Sequence, residues 1–207
     1  MKIMLDLSPQ RISDLSEKHG YDFWQLRTPL TQYKIAGVPY GLDNGCFSKF
    51  DEKTWLRLVD EARKSSADVK FVTLPDIVGD AARTLDLFDA YQNKADGLPK
   101  ALVLQDGIGR HRIDWDRLDA VFVGGSDAFK ISPEAINCAR AAKMLGKWIH
   151  VGRVNTIGRL KNWMEYADSI DGSGICKYDE MLDAMMDFIK GNDRQNDFFK
   201  QNLPSDK

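Results

Sequence analysis

Cysteine is scarce in this chain: Cys46, Cys138 and Cys176 are far apart and odd in number. They form no CxxC pair, so neither a structural zinc site nor a disulfide framework is indicated, and a reducing, cytoplasmic setting is expected. No metal or other cofactor is called for. Charge of one sign is also lacking. The formal net charge is −2 over 207 residues, so no global basic field marks a purely electrostatic DNA binder, although an enzyme with a local basic rim remains compatible. No apolar run approaches the roughly 18 residues of a membrane span, and no signal-peptide pattern follows Met1. What remains is an ordinary globular composition, 43% apolar and 29% charged, long enough for one domain with a real core.

Against that plain background one pattern repeats. The short apolar runs VPYGLD, VKFVTLPD, ALVLQD, VFVGGSD, KWIHVGR and ADSID each end on a carboxylate, an amide, a glycine or an arginine. The ends are Asp43, Asp76, Gln105 with Asp106, Gly124 with Gly125, Gly152 with Arg153, and Asp171. Most of the runs lead into helix-like stretches. Residues 51–65 carry Trp55, Leu58, Val59 and Ala62 at helical spacing, and Arg83 to Lys94 gives a second helix. Ser132 and Pro133 suit an N-cap and first helical residue, with Gly146 closing that helix. Leu160, Trp163, Met164 and Ala167 form another stripe, and Met181, Leu182, Met185, Met186 and Ile189 the last. Strand starts near 38, 69, 100, 121, 147 and 168 are spaced like βα units. With Lys2 to Leu7 they make seven strands, and an eighth would lie within the aromatic, basic stretch 21–35. The pattern predicts a single α/β domain over 1–207, a compact TIM-like (β/α) barrel with parallel strands and a polar tail at 191–207. Its site would lie at the C-terminal ends of the strands.

Each candidate has a bland reading beside the functional one. Asp43 in Asp-Asn-Gly suits a tight turn. Asp76 could cap a helix, although Asp80 is better placed to do so. Gln105 has little reason to end a strand unless it hydrogen-bonds something. Gly124-Gly125 suits a turn, a phosphate cradle or a close ligand approach. Arg153 and Arg159 could grip phosphate or lie on the surface. His150 is read as a packed core histidine. Asp171 is followed by glycines, which leaves the open approach that a nucleophile needs.

In their shared order these segments resemble the tRNA-guanine transglycosylase superfamily, most closely its small branch of DNA-acting 7-deazaguanine transglycosylases, over roughly 38–175. The segment HVGRVNTIGRLKNWMEYADSIDGSG is similar to the family's Gly-x-Gly strand, helix and nucleophile strand. LVLQDG, FVGGSDAF and FVTLPDIVGD are similar to its base-reading glutamine, glycine-rich and base-reading aspartate segments, and GLDNGCFS falls where the family has its acid/base aspartate. The resemblance implies that Asp171 attacks C1′ of a nucleoside, forming a covalent glycosyl-enzyme, while Asp43 handles the proton on the base or on water. It implies that Asp76 and Gln105 bond the base edge, beside backbone groups of Gly124 and Gly125. The target nucleotide would have to be flipped out or single-stranded. Arg27, Lys130, Arg153 and Arg159 are the candidate phosphate contacts, and Trp24, Tyr40, Phe47 and Phe129 the candidate stacking residues.

The departures are informative too. The chain has no cysteine/histidine zinc site after the nucleophile, and glycines with Lys177 replace the family's basic residues there. This favours DNA over tRNA, and it favours excision of a modified base to an abasic site slightly over exchange with a free nucleobase. A role in DNA modification or antiviral defence would suit either. Two other classes stand beside this one: a small-molecule phosphosugar barrel enzyme, and a catalytically dead binding module. The enzyme readings require Asp43 and Asp171 to share one pocket.

Overall fold

In the computed structural model, which describes residues 1–201 and side chains through 192, eight parallel strands close into a barrel in sequence order. The strands are β1 (Lys2–Leu5), β2 (Trp24–Arg27), β3 (Tyr40–Leu42), β4 (Val69–Thr73), β5 (Lys100–Leu104), β6 (Ala120–Val123), β7 (Trp148–Val151) and β8 (Ser169–Ile170). β1 pairs with β8 as well as β2, which closes the ring. Helices α1 (Pro9–His19), α2 (Glu52–Lys64), α3 (Ala81–Tyr91), α4 (Pro133–Met144), α5 (Ile157–Trp163), α6 (Ser173–Lys177) and α7 (Asp179–Gln201) cover the outside. The TIM-like barrel expected from the strand rhythm is therefore present, and the eighth strand lies at 24–27, within the stretch left open. The last helix does not end at Gly191 as the polar composition suggested. It continues to Gln201, and residues 202–207 lie outside the described residues. A helical glycine costs about 1 kcal/mol and is tolerated.

The helix starts follow from local chemistry. Asp51, Asp80, Ser132 and Thr156 each accept a hydrogen bond from the backbone N–H three residues on, satisfying a donor that the first turn leaves unpaired. Asp80, not Asp76, caps α3, which frees Asp76 for another use. The connections after β2 and β5 run as turns and short 3-10 segments where the other units have helices. After β2, polar side chains replace helix packing. Gln25 bonds the carbonyls of Leu7 and Lys34 and the N–H of Ala36, and Arg27 bonds the carbonyl of Tyr33 and the carboxylate of Glu61.

Two apolar regions result. One lies between strands and helices, and the other fills the barrel with Met4, Trp24, Leu26, Phe71, Ala101 and Ala120. Trp24 and Trp148 stack at 5.8 Å to close the N-terminal end, with the Lys70 ammonium 5.1 Å from the Trp24 ring. Toward the other end, His150 sits between Phe71 and Phe122, 4.7 Å from each ring centroid. Gly41 makes room for this aromatic layer, because a Cβ there would stand 2.2 Å from Phe71 Cζ. Replacing Gly41 by alanine should therefore overpack the barrel interior and cost about 1–3 kcal/mol. The expected readout is a lower urea midpoint with an unchanged m-value, and an unchanged midpoint would mean that Phe71 has room to move.

Candidate active site at the C-terminal ends of the strands

Asp6, Asp43, Gln105, Gly124, Gly152 and Asp171 each directly follow a strand, and Asp76 comes three residues after β4. All stand at one end of the barrel, the end where (β/α) enzymes build their sites. A small cleft of about 70 Å³, open to solvent, lies there, lined by Asp43, Asn44, Asp76, Gln105, Lys130 and Asp171 among others. Phe122, Gly124, Gly125, Phe47 and Arg153 complete its walls.

Asp171 is fixed from two sides. His150 Nε2 lies 2.8 Å from Asp171 Oδ2, and the backbone N–H of Arg153 donates to Oδ1 at 3.2 Å. His150 is fully buried and its Nδ1 is 2.8 Å from Ser169 Oγ, which also accepts from Trp148 Nε1 at 2.9 Å. Ser169 has one O–H to give, and giving it to Nδ1 leaves the proton on Nε2 to point at Asp171. The histidine read as core packing is thus both core and site. Arg153 has φ +60, a left-handed conformation that costs a non-glycine residue about 1–2 kcal/mol. Strain of this kind persists where surrounding contacts hold it. Here the N–H is on Asp171, the guanidinium is 3.9 Å from the Phe47 ring centroid, and Nη2 donates to Gly125 O at 3.3 Å.

Asp43 occupies the Asp-Asn-Gly turn, where its Oδ1 accepts from the N–H of Asn44 at 2.7 Å. Burial, reinforced by the charges of Asp171 and Asp76, pushes its carboxyl up to about 7. The turn expected of Asp-Asn-Gly is present, and the same turn places Asp43 in the cleft. Asp76 is buried and bonded on both oxygens, by Asn44 Nδ2 at 2.8 Å and Gln105 Nε2 at 2.6 Å. Burial raises its pKa, and these bonds oppose the rise. Gln105 is itself oriented by the Gly79 N–H, which donates to Oε1 at 2.9 Å. At Gly124 a Cβ would meet Val103 at 2.6 Å and Gln105 Nε2 at 3.1 Å, and Gly125 has φ +71. The pair is required by close approach and by a left-handed turn.

Of the candidate phosphate contacts, Arg153 reaches the cleft and Arg159 stands behind it, bonded to Asp127 at 2.7 Å and to the carbonyl of Arg153. Arg27 is elsewhere: it is 1% exposed, outside the barrel, against Glu61 on α2. Lys130 is in the cleft but only 2% exposed, with Nζ on the carbonyl of Gly152 at 2.7 Å, so it is no surface contact. Among the candidate stacking residues, Phe47 is 62% exposed at the mouth of the cleft. Trp24 plugs the opposite end, and Tyr40 and Phe129 are packed away. Sequence reasoning missed Asn44 and Asp6. Asp6 accepts from Thr31 Oγ1 at 2.5 Å and Thr28 Oγ1 at 3.1 Å, tying the β2–β3 connection to the rim.

The fold and this acidic pocket define a compact parallel (β/α) barrel with a carboxylate-rich cleft at the enzyme end. Comparison with protein-family models, curated proteins and solved structures finds no match. Among the described residues, no cluster of ligands could hold a metal ion and no helix is long and apolar enough to cross a membrane.

The raised Asp43 carboxyl has a measurable consequence. The folded protein keeps a proton that the unfolded chain releases, so this group favours folding fully below its ordinary value of 3.8, and that contribution is lost as pH rises through about 7. Asp43→Asn removes the titration while keeping the shape. Its urea midpoint is expected to gain on wild type as pH rises from 3.8 to 7. Parallel pH profiles would show that the carboxyl titrates normally.

Proposed function

We propose that this protein cleaves the N-glycosidic bond of a nucleobase in DNA, with Asp171 as nucleophile and Asp43 as general acid and then base. The observation that carries the reading is one pocket holding two carboxylates in opposite conditions. Asp43 retains a proton near neutrality, and Asp171 is held by donors on both oxygens. Divergent environments of two acids are how acid and base roles are assigned. A retaining mechanism needs this pair: one acid to protonate the departing base, one carboxylate to form a bond to C1′. Asp171 Oδ attacks C1′ as the C1′–N bond breaks and the Asp43 proton goes to the base. Water, deprotonated by the Asp43 carboxylate, then attacks C1′ and releases Asp171.

The base-reading pair has a defined hydrogen-bond sense. Asp76 can accept further N–H donors on its remaining lone pairs, and Gln105 Nε2 has a second N–H to offer a carbonyl. Their joint preference is an edge with N–H donors beside a carbonyl, as guanine-type bases present. Phe47 at the mouth suits stacking on a base or neighbour, and Arg153 beside it suits the backbone phosphate. A phosphosugar substrate fits less well, because its phosphate would have to enter the cleft beside the Asp76 and Asp171 carboxylates, whereas a backbone phosphate stays at the mouth near Arg153. Excision is favoured over exchange because the loops between strands and helices here are short, 74–80 and 152–156 for example, and water is hard to exclude.

The test is incubation with DNA carrying 7-deazaguanine-type bases and with unmodified DNA, with and without the free bases, read by mass spectrometry and abasic-site cleavage. Released base with abasic sites, abolished by Asp171→Asn, is the expected result. Incorporation of free base would make the enzyme an exchanger, and unchanged DNA throughout would remove the nucleic-acid reading. His150→Ala should lower kcat by about 10²-fold with little change in KM, as expected when a reacting group is displaced by about 1 Å. An equal rise in KM would instead point to a damaged base pocket.

A further inference from the structure

One group in the cleft has no part in the mechanism above. Lys130 sits on the 3-10 turn Phe129–Ile131, held there by Trp163 Nε1, which donates to its carbonyl at 3.1 Å. Its side chain turns inward, is 2% exposed, and lines the same cleft as Asp43 and Asp171. Lysine is almost never buried to this extent unless a carboxylate pairs with it. Among the described residues none does: Asp171 pairs with His150, and Asp127 with Arg159 and Arg153. The Lys130 ammonium bonds the carbonyl of Gly152 at 2.7 Å, which leaves two of its N–H groups without a protein acceptor among the described residues, in a residue that lines the cleft. Burial and the nearby Arg153 charge lower its pKa to about 8, although Asp171 pulls the other way. An amine so placed is available as a neutral nucleophile near neutral pH, the condition of imine-forming lysines.

We propose that Lys130 is a second nucleophile of this pocket, an amine that condenses with the aldehyde of an abasic deoxyribose and gives the protein a strand-cleaving lyase activity. The choice of DNA as the ligand rests on the function proposed above. The chemistry balances without a co-reactant. The neutral amine adds to C1′ of the ring-opened sugar, and the carbinolamine, its hydroxyl protonated by the Asp43 carboxyl, loses water to give a protonated imine. The Asp43 carboxylate removes a C2′ proton, the electron pair of that C–H bond forms the C2′=C3′ double bond, and the C3′–O bond breaks with departure of the 3′-phosphate. Water hydrolyses the imine, restoring the amine and leaving an unsaturated aldehyde on one strand end and a 5′-phosphate on the other. The product of base excision would thus be the substrate of the second step in the same cleft.

The decisive experiment supplies the abasic site ready-made, so it does not depend on base release by this protein. An oligonucleotide whose single uracil has been removed enzymatically is incubated with the full chain in the presence of sodium borohydride, which reduces the imine to a stable amine. Wild type and Asp171→Asn are expected to form a covalent protein–DNA adduct that maps by tandem mass spectrometry to Lys130. Lys130→Arg, which keeps the charge but cannot form the imine, should lower the yield at least 10-fold. If that variant does not fold, the mapped site in wild type decides. No adduct with wild type, or an adduct mapping to another amine, overturns the proposal. Adduct formation without release of any base would sustain it while removing the glycosylase reading.

Discussion

The organising constraint of this molecule is that Asp43, Asp76 and Asp171 share one poorly solvated pocket, with Asp6 close by on the rim. Like charges so placed cannot all ionise freely, and each must be relieved differently. Asp43 is relieved by retaining its proton near neutral pH. Asp76 is relieved by two side-chain amides, Asn44 and Gln105, and Asp6 by two threonine hydroxyls. Asp171 has a histidine on one oxygen and a backbone N–H on the other. The distinct solutions leave chemically similar residues in distinct states, which the proposed mechanism uses as proton carrier, hydrogen-bond acceptor and nucleophile.

These solutions impose demands further away. For Asn44 to reach Asp76, the Asp-Asn-Gly turn after β3 must bend toward β4, and Asn44 also donates to the carbonyl of Leu74 at 2.7 Å. For the Arg153 N–H to reach Asp171, Arg153 must adopt a left-handed conformation, which contacts with Phe47, Gly125 and Asp127 hold in place. Gly41 and Gly152 keep Cβ atoms away from Phe71 and Phe122, so the rings can lie against His150. Much of the unusual backbone on this face of the barrel therefore traces to the placing of carboxylates.

Much of this was legible in the sequence, because strand ends in a parallel barrel are chemically conspicuous. An apolar run that stops on Gln105 or Asp171 has little folding reason to do so, and the βα spacing puts those stops on one face with Asp43. β2 was hard to see because Gln25 and Arg27 look like surface residues, yet both are buried to tie down a connection that has no helix of its own. Arg27 and Lys130 were misplaced for a common reason: a basic residue reads as exposed unless a partner is visible, and their partners, Glu61 and the Gly152 carbonyl, are distant in sequence. Asp6 carries no turn or cap signal, so only the loop that folds back onto it reveals its position. For His150 the choice between core and site was false, since a residue inside a barrel can touch the pocket floor.

That last point bears on how precisely the site is held. Trp148, Ser169, His150 and Asp171 form a chain of hydrogen bonds of 2.8–2.9 Å that runs through the barrel interior on the two neighbouring strands β7 and β8. Its central member, His150, is packed between the Phe71 and Phe122 rings, where side chains have little freedom to move. Asp43 is instead held by the backbone of its own turn. The group that meets C1′ in the proposed mechanism is thus fixed by the core, and the group proposed to pass a proton is fixed by a loop. Bond formation to carbon is sensitive to misplacement of about 1 Å, whereas a proton can also be relayed through one water. In the proposed mechanism the barrel interior thus supplies rigidity where the chemistry is least forgiving, with β7 carrying the histidine that positions Asp171, directly after the two-residue β8.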